Sequence, residues 1–529
     1  MCNSHKYQFR EKVESTFTKK PTSYFGLCFL LLVLITIITL YTRSNGNITE
    51  SVYDDTATTF QAQYLIQEVP VYVESEIYEA VDPAYSPKEG IIEPERIFAG
   101  LRGASPYFVT DVDFGDGDFP ILRIYTEENI IDRNYWISAS LSLCNAATEE
   151  YEFEGVEARI RGRGHSSWNW DKPSFRIRFS DAQPMLDSGH SARDWTFIAN
   201  HFDNSLMRNY SAYYLASLLD GMYVAPFARF VDVYFNGEYQ GVYMLSIQHS
   251  YIVDGQVYLQ YDTNPAVSEF LLELDSRVRR QGGTEFEDFI LVNGRSYELR
   301  YPSGHNLAMD HARYAQNFLY RVEVLLMLRD ETVFELIHKP SFVDFYIISE
   351  LYKDVDVGFS SVFMQIRGQG NNRRLEMGPV WDQDRSLGND NRAANLHVVE
   401  YHARYPYGIQ AAESNHWFFY LMEIPAFFSA VTERWNDIKY DQVQQMMSHV
   451  ENMARTYEAS FERNFFRWPI LGEQLAMQPQ TVGEIDTFMG HVDFILDFLD
   501  RRIVWLDEYF NSRYSRNPKA PTFVENYFD

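Results

Sequence analysis

Residues 378–389 read GPVWDQDRSLGN, placing two carboxylates, Asp382 and Asp384, between a Gly-Pro turn and a closing Gly-Asn. The pattern predicts a buried strand ending at Val380 and Trp381, from which the aspartates emerge where a sheet meets solvent and converge on one hard cation. A second acidic pair, Asp354 and Asp356 in YKDVDVGFSS, lies upstream. Two acidic pairs with apolar sequence between them suggest a metal-dependent transferase site. D-x-D is also an ordinary turn cap in an acidic chain, so either pair alone admits a purely structural reading.

Working outward, residues 306–353 carry a helical pattern broken near Pro340, and they deliver the chain to the first acidic pair. Before them, Phe270 to Leu274 and Tyr297 to Tyr301 read as strands. FVDVYFNGEYQGVYML gives two more strands across Asn236-Gly237, a strong hairpin signal. From Arg193 the chain reads RDWTFIANHFDNSLMRNYSAYYLASLLDG, with an amphipathic helical spacing that Gly221 terminates. In VEARIRGRGHSSWNWDKPSFRIRF, two strand-like arms flank Gly162, Gly164, Ser166, Ser167 and Lys172, a small-residue segment able to cradle a phosphate or to form an ordinary hairpin. ILRIYT and YWISASLSL add short strands, and the sequence beyond residue 400 is helical, ending in an amphipathic stretch from about Ile485 to Tyr509. Strands first and helices later predict an α+β domain.

The 529-residue chain is 46% hydrophobic and 16% aromatic, ample for a large core. Its formal net charge of −28 disfavours nucleic acid as a partner. Tyr24 to Tyr41 is an uncharged apolar run of a length that crosses a bilayer as a helix, and the basic tail before it predicts a cytosolic N-terminus. The expected organisation is a cytoplasmic tail (1–23), a transmembrane signal-anchor helix (24–42), an acidic stem (43–95), one domain (96–515) and a C-terminal tail (516–529). The expected arrangement is that of a type II membrane protein with its domain lumenal or extracellular, a cleaved signal peptide being the competing reading. Downstream of the anchor stands one cysteine, Cys144, so no intrachain disulfide forms there and a cysteine zinc site is excluded. The sequons Asn47-Ile-Thr and Asn209-Tyr-Ser are candidate glycosylation sites, the second within a helical pattern.

Taken in order, GRGHSSWNWDKPSFRIRF, DWTFIANHFDNSLMRN, YFNGEYQGVYML, FLLELD, ISELYKDVDVGFSSVFM and GPVWDQDRSLGN resemble the spore-coat protein H family, the CotH kinases. NHWFFYLMEIPAFFSAVTERW and DRRIVWLDEYF are similar to its C-terminal helices, so the resemblance spans about residues 130–510. It implies an atypical protein-kinase-like domain that transfers phosphate from ATP, with Mg2+ or Mn2+, to serine or threonine of secreted, coat or cell-surface proteins. By resemblance, Lys172 holds the nucleotide phosphates with Arg161 and Arg163 nearby, aided by Ser166 and Ser167. Asp356 orients or deprotonates the attacking hydroxyl, and Asp382 binds the metal with Asp384 as second ligand or neighbour. Ser361 occupies the place of an amide-bearing metal ligand. On this reading Lys172→Ala and Asp382→Ala leave the domain folded and abolish transfer.

The chain departs from the family pattern at Ile247, where many members carry an acid; Glu273 is the candidate to take over its pairing with the lysine. Arg300 stands where many members have lysine at a phosphate contact. Gln383 and Arg385 replace more usual apolar residues. Two other classes compete with the kinase: a catalytically inactive surface-binding or adhesion protein, and a type II glycosyltransferase using D-x-D with a nucleotide sugar.

Overall fold

The computed structural model describes residues 118–514 apart from short interruptions, the longest being 392–415. The expected cytoplasmic tail, membrane helix and stem, the sequon at Asn47 and the C-terminal tail lie outside the described residues. Among the described residues no helix is long and apolar enough to cross a membrane.

Alternating apolar and polar residues build β1 (Ile121–Tyr125), β2 (Ile137–Cys144), β3 (Phe153–Arg163), β4 (Ser174–Pro184) and β5 (Ser191–Ile198). After α1 (Arg208–Leu218) come β6 (Arg229–Phe235) and β7 (Glu238–Ile247). These strands close a barrel in the order β1-β2-β3-β4-β5-β7-β6, with β6 pairing β1 in parallel. Ile160, Ile177 and Trp195 lie in register across β3, β4 and β5 and fill the interior with Phe175, Phe197 and Leu245. The two-residue period therefore turns Arg159, Arg161, Arg163, Arg176 and Arg178 outward. The β6–β7 turn explains its Asn-Gly: Asn236 and Gly237 have φ of 49° and 85°, the left-handed region that these two residues adopt most easily.

A short ribbon, β8 (Ile252–Val253) with β9 (Gln256–Val257), precedes a second sheet. Its strands are β10 (Phe270–Leu274), β11 (Phe289–Val292), β12 (Arg295–Tyr301), β13 (Val362–Arg367) and β14 (Arg374–Met377), in the antiparallel order β11-β12-β10-β13-β14. Short α2 (Arg277–Arg280) follows β10, and α3 (Met309–Met327) and α4 (Lys339–Tyr352) lead into β13. Helices close the chain: α5 (His416–Leu421), α6 (Pro425–Ile438), α7 (Gln442–Thr456), α8 (Glu458–Arg467), α9 (Gln480–Gly483) and α10 (Phe488–Tyr514). The domain is α+β, strand-rich in its first half and helical in its second.

Helix α4 positions the site. From Ser341 to Tyr352 every residue is buried, so the helix has no solvent face and lies within the core among α1, α6 and α10. Pro340 sits in its first turn, where a missing N–H costs nothing, so the proline starts this helix. Lys353 ends it in the left-handed region (φ 52°, ψ 51°) and turns the chain into Asp354. Arg502 of α10 reaches Glu350 on its last turn through a fully buried ion pair of 2.7 Å. Two local expectations are corrected. Strand β14 ends at Met377, so Val380 and Trp381 are buried but lie beyond the strand. Helix α1 is buried on nearly all sides instead of amphipathic, and Asn209 within it is buried and hydrogen-bonded, which removes that sequon as a glycan site.

Candidate active site

The two acidic segments meet, and two hydrogen bonds tie them together. The Ser361 hydroxyl donates to Asp382 Oδ2 at 3.0 Å, and Gln383 Nε2 donates to Asp354 Oδ2 at 2.7 Å. Asp354 Oδ1 also accepts from the Asp356 backbone N–H at 2.9 Å, shaping the turn that presents Asp356. Ser361 and Gln383, both departures from the family pattern, are therefore the cross-links between the two loops. A serine that donates to Asp382 keeps its lone pairs, so orienting the carboxylate is compatible with ligating a cation.

Asp382 has φ of 63° and Ser361 φ of 59°, left-handed conformations that cost a non-glycine residue on the order of 1 kcal/mol each and persist where the surroundings fix them. The surroundings here are specific. Trp381 stacks on Tyr213 of α1 with centroids 5.4 Å apart, and the Arg163 guanidinium lies 5.3 Å from the Trp381 centroid. The Gln383 N–H donates to Asn209 Oδ1 at 2.6 Å. Beneath the loop, buried Arg208 donates to the carbonyls of Ser386 (2.9 Å) and Leu387 (3.2 Å) and pairs with Asp203 at 2.5 Å. Arg385 pairs with Asp390 at 2.9 Å. The loop that carries Asp382 and Asp384 thus rests on α1 and the residues just before it. The density of polar residues in HFDNSLMRN was the signal available, since buried polar groups need partners.

Burial, then repulsion from Asp356 and more weakly from Asp382, pushes Asp354 up to about 7. Asp384 is pushed up to about 8, first by burial, then by Asp382, against the pull of Arg385. Arg277, on the short α2, is held above its ordinary value: burial opposes its charge, but Asp275, and after it Asp382 and Asp356, outweigh that. Its guanidinium is anchored to Asp275 at 3.0 Å. Arg277 thus belongs to the electrostatic surroundings of the site, and no spacing in the sequence pointed to it.

Lys172 has a different place from the one the resemblance implied. Its buried amine donates to Ala199 O (2.9 Å), Val242 O and Asn464 Oδ1 (2.8 Å), which uses all three of its N–H groups. Tyr243 lies beneath it at 4.6 Å, and burial holds its pKa well below the ordinary lysine value. The phosphate role for Lys172 is corrected accordingly: its donors are spent inside the fold. Lys172→Met should lower stability on the order of 3 kcal/mol by orphaning these acceptors, measured by denaturant unfolding.

The glycines beside it serve packing. A Cβ on Gly162 would meet the Trp168 indole at 2.3 Å, and one on Gly164 (φ 92°) would meet Ser167 Oγ at 1.9 Å. Ser167 thus closes the turn against Gly164, and Ser166 lies outside the described residues. Arg163 reaches Trp381 beside Asp382, whereas Arg161 donates to Arg133 O and lies over Trp136, 4.8 Å from the ring centroid. Glu273 and Arg300 come together, with Arg300 Nε 2.7 Å from Glu273 Oε2 and Nη1 2.7 Å from Glu298. Glu273 thus pairs with Arg300 and not with Lys172, which corrects that expectation.

Glu298 is pushed up to about 7, mainly by burial, with Arg300 opposing and Glu273 adding. Its folded value exceeds its unfolded one, so its contribution favours folding at low pH and is lost as pH rises toward 7. Glu298→Gln, which mimics the protonated acid, should therefore stabilise the protein by about 1–2 kcal/mol at pH 8 and negligibly at pH 4.5, read from denaturation at the two pH values.

The CotH kinase protein model matches residues 160–506, which include both acidic loops, α1, the second sheet and the C-terminal helices. The chain belongs to the CotH kinase family. No curated protein matches it. Within this CotH domain the match begins at β3, and the barrel adds β1 and β2 ahead of it.

Proposed function

We propose that this CotH-family protein is an atypical kinase that transfers the γ-phosphate of ATP, with Mg2+ or Mn2+, to serine or threonine of a secreted or surface protein. The observation that carries the reading is the joining of the Asp354–Asp356 turn to the loop of Asp382 through Ser361, which donates to Asp382, and Gln383, which donates to Asp354. The basic tail and the apolar run Tyr24 to Tyr41 support a type II arrangement with the reaction outside the cytosol.

The donors present suit a hard cation. All are oxygens, and the carboxylates raise one another's proton affinity, a repulsion that a divalent ion relieves. Among the described residues no group of three or more His, Cys, Asp or Glu side chains could hold a metal. Magnesium binds through one or two carboxylates and takes phosphate oxygens and water for the rest. Asp382, Asp384 and Ser361 would hold it, and when bound it would neutralise charge on the phosphate oxygens. Arg163 and Arg277 bring positive charge to the same place, and Asp356 accepts the proton of the substrate hydroxyl.

The test is radiolabel transfer and intact mass on the full-length protein with ATP and either ion, alongside nucleotide-dependent thermal stabilisation. Label on the protein or a generic acceptor supports the kinase. The commitment of Lys172 to the fold favours a second reading, a catalytically inactive surface-binding relative. Absence of both transfer and stabilisation at millimolar nucleotide selects it.

A further inference from the structure

Four arginines surround one indole on the outer face of the barrel. The guanidinium carbons of Arg159, Arg161, Arg176 and Arg178 lie 5.9, 4.8, 5.9 and 5.0 Å from the Trp136 centroid. Arg176 and Arg178 both reach Asp194 Oδ1 at 2.9 Å, and Asp132 acts on Arg161 through space, so two carboxylates face four guanidinia among the described residues. Arg161 donates only to a backbone carbonyl, and its buried Nε has no hydrogen-bond partner. Its pKa falls to about 10, first through burial and then through repulsion from Arg176 and Arg178. This concentration of like charge costs stability, in a chain whose net charge is −28. Along β3, Arg163 follows Arg161 by two residues, a step of ~7 Å, and lies over Trp381 next to Asp382. The arginine row therefore starts at the reaction centre and runs away from it.

We propose that the outer face of β3 and β4, centred on Trp136, docks an anionic segment of the protein substrate, one bearing phosphoserine or clustered carboxylates, beside the hydroxyl to be phosphorylated. The proposal rests on the kinase reading for its meaning but not for its test. Arginine forks pair bidentately with phosphate and carboxylate, and the indole gives the ligand backbone a flat apolar support. A short acidic segment fits better than a long polyanion, because the net-negative remainder of the protein repels charge beyond the patch.

The experiment is fluorescence anisotropy with full-length protein and a labelled peptide carrying two phosphoserines and flanking glutamates, without nucleotide. Arg159→Ala with Arg178→Ala removes the exposed and the partly exposed guanidinium of the cluster, and Asp382→Asn serves as a catalytically disabled parent. Binding by the parent, weakened about tenfold or more in the arginine variant and by added salt, is expected. The Trp136 emission should shift on binding and not in the arginine variant. Equal binding by both proteins overturns the proposal, as does displacement of the peptide by ATP, which would give this face to the nucleotide phosphates. Should the Asp382→Asn protein bind the peptide while wild type shows neither transfer nor nucleotide-dependent stabilisation, the docking surface stands and the kinase reading fails.

Discussion

Asp382→Asn should reduce phosphoryl transfer by about a thousandfold or more, some 4 kcal/mol of transition-state stabilisation, while melting within about 2 °C of wild type or above it. Asparagine is the informative replacement. It tolerates the left-handed backbone at φ 63° and still accepts a hydrogen bond from Ser361, so the turn survives. What it loses is the charge, and that charge repels Asp384 and Asp354 in the metal-free protein. Stability should therefore hold or rise as activity disappears. Transfer kinetics and calorimetry on the same preparation check both halves, and retained transfer removes Asp382 from the metal site.

Arg208→Met should cost about 3–5 kcal/mol in stability, the range for stranding a buried ionic partner. Asp203 would lose its cation within a fully buried pair, and the carbonyls of Ser386 and Leu387 would lose their donors. The damage should extend to function, because those carbonyls belong to the loop that carries Asp382 and Asp384. Denaturant unfolding gives the first quantity. The second appears as a fall in nucleotide-dependent stabilisation, measured below the lowered melting point. The paired change Arg208→Met with Asp203→Leu should recover part of the stability without recovering the loop, which separates fold support from site support.

The architecture was legible where pattern and chemistry agreed. Alternation gave six of the seven barrel strands, Asn236-Gly237 gave its hairpin, and the order of strands and helices gave the α+β class; β5, Ser191–Ile198, went unread at the start of a stretch taken for its helical spacing. The acidic pairs were legible only as candidates, because D-x-D is also an ordinary turn cap, as Asp354 is for the Asp356 N–H; it was the run of family blocks around them that gave them a catalytic reading. Lys172 misled for a physical reason: a lysine after a Gly-Ser segment reads as a phosphate contact, and nothing local shows that Asn464, 292 positions away, takes up its amine. Gln383 and Ser361 looked like losses because one chain displays residue types and not the partners they find. Arg277 and the Arg208 anchor were invisible for the same reason, their meaning arising only once α1, α2 and the two loops are assembled.

The burial of Lys172 has a mechanical consequence. Asn464 of α8 accepts from both Lys172 and the Val242 N–H, Trp468 Nε1 donates to Gln240 O at 2.8 Å, and Arg463 reaches Asp232 at 3.1 Å. These bonds rivet one flank of the barrel to the C-terminal helices, whereas many nucleotide enzymes admit and release their ligands by swinging two lobes about a hinge. On the proposed kinase reading, a hinge opening on that side would first have to break these bonds. The barrel flank and its riveted helices should therefore move as one piece, whatever ligand the protein takes.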